Sequence, residues 1–183
     1  GVELAVGRGW PAGTCVVARR PLEAVATASG SIGTDSSDRR CGDARGPGGK
    51  ESRVSWGQAD ALNLPCEDKE FDAVVCQFGL MFFPDQLRGM RECHRVLSAG
   101  GHLFLSVWDS FDHNPIGEIM HTTIAEAFPV DPPDFYRIPF SLHDVAELRR
   151  LATTAGFSDV NVETIPLEGT SPSAGEAAIG LVR

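Results

Sequence analysis

The chain is expected to fold as an α/β domain whose doubly wound, mostly parallel sheet carries helices on both faces and is incomplete at both ends. Two observations predict it. Strand-like and helix-like segments alternate along the 183 residues, the order that builds a parallel sheet. The clearest strand segments, Phe71 to Cys76 (FDAVVC) and Leu103 to Trp108 (LFLSVW), are continuous apolar runs, as strands buried on both faces must be.

Taken in order, Val2 to Val6 reads as a strand and Ser31 to Thr34 as the end of another, followed by the apolar-poor stretch Ser36 to Lys50, read as a loop. A further strand closes at Gly57 to Pro65 (GQADALNLP). Between the two clearest strands lies a helix that starts at Pro84 and Asp85. It carries Leu87, Met90, His94 and Leu97 on one face and stops at Gly100 and Gly101. A second helix spans about Leu142 to Ala155, with Ser141 as N-cap and Gly156 as its stop. Val160 to Thr164 alternates as a strand. The proline-rich segment 109–140 holds one short helix near Ile116 to Phe128 and reads as a variable substrate insertion. The whole of 1–183 is expected to be one domain, with residues 1–53 its least regular part.

A net charge of -9 excludes a nucleic-acid polyanion as the main partner, since binding phosphates needs clustered Lys and Arg. No run of apolar residues approaches the length of a membrane span. The five cysteines lack C-x-x-C spacing and the five histidines lack ligand spacing, so neither a metal nor a disulfide framework is expected, and a reducing, cytoplasmic setting is.

Polar or glycine-bearing residues close successive strand segments: Glu3 with Gly7 and Gly9, then Asp35, Asp60 and Gln77. In an open parallel sheet, ligands bind outside the carboxyl ends of strands, so these residues are expected to converge on one crevice. Glycines let backbone N–H groups approach a ligand closely, and the Asp35 carboxylate suits a ribose diol. The Asp60 carboxylate suits an amino group.

The blocks Gly57 to Pro65, Phe71 to Asp85 (FDAVVCQFGLMFFPD), Arg91 to Gly101 (RECHRVLSAGG) and HLFLSVW together resemble the Rossmann-like class I S-adenosylmethionine-dependent methyltransferases. More narrowly, they resemble the bacterial group that includes the ubiquinone and menaquinone C-methyltransferases. The likeness covers Val54 to Val162 well and Gly1 to Asp35 loosely. It implies S-adenosylmethionine as cofactor and a small-molecule methyl acceptor. By the same likeness Glu3, Ala5, Gly7 and Gly9 lie at the methionine end, Asp35 on the ribose, and Asp60 with Ala61 on the adenine. Leu62 stands beside the adenine, and Gln77 follows the fourth strand of the family.

The chain departs from that pattern at the front. Gly9 and Asp35 are 26 positions apart, and Pro11, Gly13 and Pro21 fall where a first helix would run. Weakened cofactor affinity is therefore expected. The chain is also short at both ends relative to the family, as a fragment would be, which leaves Val160 to Thr164 without its usual neighbour strand.

No universal catalytic residue is required for methyl transfer, because the donor is already activated. Should the acceptor need to lose a proton, His113 and Asp112 in the segment Asp109 to Pro115 are the nearest bases, although a polar loop held by Asn114 and Pro115 explains the same residues. Phe78, Met81, Phe82 and Phe83 can wall an acceptor pocket or simply form core. Two alternatives stand beside methyl transfer: a non-catalytic or truncated methyltransferase-like binding module, and a nicotinamide-dependent oxidoreductase. The second lacks its third glycine, since Ala12 stands where G-x-G-x-x-G requires one.

Overall fold

The computed structural model describes the backbone of residues 2–6, 14–19, 23–28, 54–167 and 169–182, with side chains for 59–167 and 169–179. Among the described residues seven strands form one sheet: β1 (Val2–Val6), β2 (Thr14–Arg19), β3 (Glu23–Ala28), β4 (Val54–Gln58), β5 (Phe71–Gln77), β6 (Leu97–Val107) and β7 (Val160–Thr164). The helices are α1 (Gln86–Val96), α2 (Pro115–Ala127), α3 (Val145–Ala155) and α4 (Ala174–Val182). Across the sheet the order is β4-β3-β2-β5-β6-β1-β7. β2 alone runs against the others.

β5, α1 and β6 form the expected strand, helix and parallel strand. On β6, Leu103, Leu105 and Val107 alternate inward and are essentially inaccessible to solvent. Val74 and Cys76 lie opposite Leu103 and Leu105 in the ladder, so the core begins as cross-strand pairs on one face. Met90, Cys93 and Val96 of α1 and Leu148, Leu151 and Ala152 of α3 complete it. On the opposite side, His102 and Phe104 are exposed. That face of β6 is thus open to solvent at these two positions.

The structure differs from several sequence expectations. α1 ends at Val96, and Gly100 and Gly101 lie inside β6. A register shift opposite Phe71 and Ala73 accommodates them. Gly100 takes φ 79°, and a Cβ on Gly101 would stand 3.0 Å from the Ser98 carbonyl oxygen and 3.1 Å from that of Asp72, so these glycines bend a strand instead of stopping a helix. The buried face of α1 is Gly89, Met90, Cys93 and Val96. His94 stays exposed and meets Phe157 edge-on, with ring centroids 5.0 Å apart.

The helix expected from Leu142 starts at Val145. Its N-cap is Asp144, which accepts from the Ala146 amide at 2.8 Å, because a carboxylate there satisfies an otherwise orphaned N–H. Ser141 instead donates to the Ile138 carbonyl at 2.8 Å. Gly156, at φ 109°, ends the helix as expected.

At the front, the hairpin β2–β3 occupies part of the stretch where the family resemblance called for a helix. Val16, Val17, Val25 and Thr27 favour a pleated backbone, and Pro21 sits between the strands, where helix continuation is unfavourable. Val160 to Thr164 is not left without a neighbour: β1 pairs with β7 along its whole length and with β6 on the other side. The expected strand end at Ser31 to Thr34 and the loop Ser36 to Lys50 lie outside the described residues.

Candidate functional site

The ladder registers place Gln58, Ala28, Thr14, Gln77, Ser106, Ala5 and Glu163 in one row across the sheet. β1, β3, β4, β5, β6 and β7 all leave the sheet at this edge, the side on which ligands bind in open α/β sheets. Asp60 lies two residues past Gln58, and Gln77 closes β5 with its side chain exposed. Phe78 follows at φ 51°. A left-handed backbone at a bulky residue is strained, and such strain collects at functional sites.

Asp60 begins a tight turn. Its Oδ1 accepts from the Leu62 amide at 2.9 Å, and its carbonyl accepts from the Asn63 amide at 3.0 Å. Short side chains of this kind cap their own turns. Oδ2 has no partner among the described residues, so an exposed carboxylate oxygen remains available to a ligand donor. Ala61 and Leu62 are half-buried at the crown of the turn.

Gly89 is where the Asp60 turn meets the segment that follows Gln77. A Cβ placed on it would lie 2.4 Å from Phe83 Cδ2 and 3.5 Å from Leu62 Cδ2. Glycine costs about 1 kcal/mol inside a helix. Here it lets Phe83 and Leu62 close against α1, so the turn carrying Asp60 and Ala61 and the strand end carrying Gln77 are both anchored to that helix.

The anchoring is also polar. Arg88, Glu92 and Arg95 share one stripe of α1 by their spacing of four and three. Arg88 Nε donates to the Leu62 carbonyl at 3.0 Å. The Leu64 amide donates to Glu92 Oε2 at 2.9 Å. Arg95 donates to the carbonyls of Leu64 at 3.0 Å and Cys66 at 2.8 Å, and forms ion pairs with Glu92 and Asp68. Burial pushes the Glu92 carboxyl up, but the hydrogen bonds from Arg95 and the Leu64 amide, with the nearby Arg95 and Arg88 charges, outweigh it and hold the pKa below the ordinary value. Hydrogen bonds to Glu92 and Asp68 hold the Arg95 guanidinium above its ordinary range.

Past β6 the insertion packs aromatic groups at the same edge. Phe78 stacks on Trp108 with centroids 4.4 Å apart, and Phe140 contacts both Trp108 and Phe111. Of the four residues weighed as an acceptor wall, Phe78 and Met81 are core at 5% and 2% exposure, while Phe82 is 41% exposed and Phe83 packs on Gly89. Asn114 is buried, and its amide donates to the carbonyls of Asp109 and Ser110 at 2.9 Å each. With Pro115 as the first residue of α2, this is the loop-stabilising arrangement. His113 is exposed, with Nδ1 held 2.9 Å from Asp109 Oδ2, and Asp112 is exposed.

Glu3 and Ala5 do not join Asp60. β1 lies between β6 and β7, five strand steps from β4. At roughly 4.8 Å per step that is about 24 Å, which corrects the expected convergence of all the strand ends on one crevice. The place beside β5 is taken by β2, and β1 finds two parallel partners beyond β6. Ala5 still shares the row with Ser106 and Gln77. Gly7, Gly9 and Asp35 lie outside the described residues. Arg88, Glu92 and Arg95 were not singled out from sequence as site residues, although their spacing inside an amphipathic helix marks one stripe. Among the described residues no three His, Cys, Asp or Glu side chains form a possible metal group, and no helix is long and apolar enough to cross a membrane.

The family described as "Methyltransferase domain" matches residues 4–105. The demethylmenaquinone methyltransferase of Staphylococcus saprophyticus is 34% identical over 119 residues, 57% of this chain and 49% of that protein. That of Corynebacterium kroppenstedtii is 31% identical over 123 residues, covering 61% and 53%. That of Deinococcus radiodurans is 45% identical over 58 residues, covering 32% and 24%. The chain thus spans about half or less of the length of these relatives. Among solved structures, a SAM-dependent methyltransferase from Thermotoga maritima matches at 25% identity with a TM-score of 0.44, covering 60% of this chain and 48% of that one. The comparisons favour neither the nicotinamide reading nor the non-catalytic one. The matched segment takes in more than half of the sequence, and the chain belongs to the methyltransferase domain family.

Proposed function

We propose that the protein binds S-adenosylmethionine at the carboxyl edge of its sheet and transfers the methyl group to a small-molecule acceptor. The observation that carries this is the Asp60 turn: an exposed carboxylate with one oxygen open, beside the half-buried Leu62 and Phe83. This set fits an adenine, which presents an amino donor on an apolar ring. In this reading Asp60 and Ala61 hold the adenine and Gln77 lines the middle of the crevice. Gly7, Gly9 and Asp35 supply the methionine and ribose contacts by family resemblance, while Glu3 and Ala5, five strand steps from β4, take no part in it.

The cofactor supplies an activated sulfonium methyl, so the chain's task is to align the acceptor and exclude water. The half-buried rings of Trp108, Phe111 and Phe140 support a planar apolar acceptor. The demethylmenaquinone named in the relatives, a naphthoquinone, is the first acceptor to test. His113, oriented by Asp109, is the base for an acceptor that must lose a proton. A small-molecule acceptor, no nucleic acid and a cytoplasmic setting fit the net charge of -9 and the buried Cys76 and Cys93 thiols.

The test is transfer of labelled methyl from S-adenosylmethionine to a reduced, demethylated naphthoquinone, beside a fluorescence titration with NADH. Label in the quinone and no NADH signal are expected. Saturable NADH binding without methyl transfer would overturn the reading.

A further inference from the structure

Leu62, Leu64 and Cys66 are alternate residues, and all three present their carbonyl oxygens to donors on a single helix, α1. The Leu64 amide also turns to that helix and donates to Glu92. These are non-local contacts, joining residues 26 to 31 apart in sequence. A loop ordinarily leaves its backbone groups to water. Here the strand-to-loop segment that begins at Asp60 is bonded along its length to one stripe of a packed helix.

We propose that Arg95 and Glu92 are positioning residues that hold the Asp60 turn in its adenine-binding shape, with Arg88 fixing the turn's near end. The inference rests on the reading of Asp60 as the adenine contact. The geometry suits the task. Arg95 Nε and Nη2 form a two-point pair with Glu92, both at 2.9 Å, which fixes the guanidinium plane. The remaining donors then point at Leu64, Cys66 and Asp68. An ammonium group cannot reproduce that planar fork. Glu92 is bound on both sides, by Arg95 and by the Leu64 amide, so it couples the guanidinium to the backbone four residues from Asp60. Neither side chain needs to touch the cofactor. Each acts through the place it gives Asp60 and Ala61.

A clamp that serves only stability would weaken folding and leave the ligand indifferent to whether Asp60 is intact. A thermodynamic cycle separates the two roles, since coupling appears only between residues that act through one another. The affinity of the 183-residue chain for S-adenosylhomocysteine is measured by titration calorimetry in four forms: unaltered, Arg95→Lys, Asp60→Asn and both together. Arg88→Met is added because, among the described residues, Arg88 is bonded to the turn at Leu62 alone.

We expect Arg95→Lys to raise Kd about tenfold alone and less than about twofold in the Asp60→Asn background, with Arg88→Met raising it about threefold, as the loss of ordering hydrogen bonds implies. Thermal melts and far-UV spectra establish that each variant is folded. Unchanged affinity in both Arg95→Lys and Arg88→Met, or a full undiminished effect in the Asp60→Asn background, would overturn the positioning role alone. Absence of any binding by the unaltered chain would overturn the adenine reading, and this inference with it.

Discussion

At Asp60 one carboxylate oxygen is committed to the Leu62 amide at 2.9 Å, while the other has no partner among the described residues. Asp60→Asn keeps an acceptor for Leu62 but removes the charge, so turn and ligand effects separate. We expect it to weaken S-adenosylhomocysteine binding by about tenfold, the scale of one charge-assisted hydrogen bond, with little change in melting temperature. A calorimetric titration and a thermal melt check this together. Gly89 gives the complementary case. A methyl group there would stand 2.4 Å from Phe83 Cδ2, and overpacking costs about 1–3 kcal/mol against the gain in helix propensity. Gly89→Ala is therefore expected to lower stability in urea, and Phe83→Leu in the same chain to restore part of it.

At the scale of elements, α1 faces the core with Met90, Cys93 and Val96 and faces the Asp60 loop with Arg88, Glu92 and Arg95. Because the folded-state pKa of Glu92 is depressed, its stabilisation is present above the ordinary carboxylate value and lost as pH falls through the folded one. Stability between pH 7 and the acid limit is expected to fall less steeply in Glu92→Gln than in the unaltered chain, as read by urea melts at a series of pH values. On the core side, Leu105, 2% exposed in β6, is expected to cost about 2–5 kcal/mol when cut to alanine.

The same elements show what was legible in the sequence. β5 and β6 are apolar runs legible as strands, although one face of β6 is exposed at His102 and Phe104, and Gly156 is a helix stop by its backbone requirement alone. The end of α1 was misread because Gly100 and Gly101 serve a bulge in β6, and a glycine pair announces a break without saying which kind. Ser141 lost the capping role to Asp144 because two good capping residues lie three positions apart and sequence cannot rank them. The strand end at Asp60 was legible from its own residues. The clamp from α1 was not, since it depends on backbone groups 26 to 31 residues away.

Across the whole molecule, the sheet order decides how the site is divided. β4 and β5, with Asp60 and Gln77 at their ends, are tied together through α1, while β1 stands beyond β6, where it pairs with β7. No reading of Val2 to Val6 as a strand could have placed it there, because strand position is set by which ladders remain to be filled and not by the strand's own composition. The proposed adenine contacts therefore rest on side-chain geometry, and the proposed methionine and ribose contacts rest on resemblance through Gly7, Gly9 and Asp35. With the first half organised by α1 and the second departing from the family pattern, binding should be measurable and weaker than a complete site would give. Titration calorimetry of the 183-residue chain with S-adenosylhomocysteine tests this most directly. The account predicts saturable one-to-one binding with Kd on the order of 100 µM, about -5.5 kcal/mol; absence of saturable heat up to millimolar ligand would contradict it.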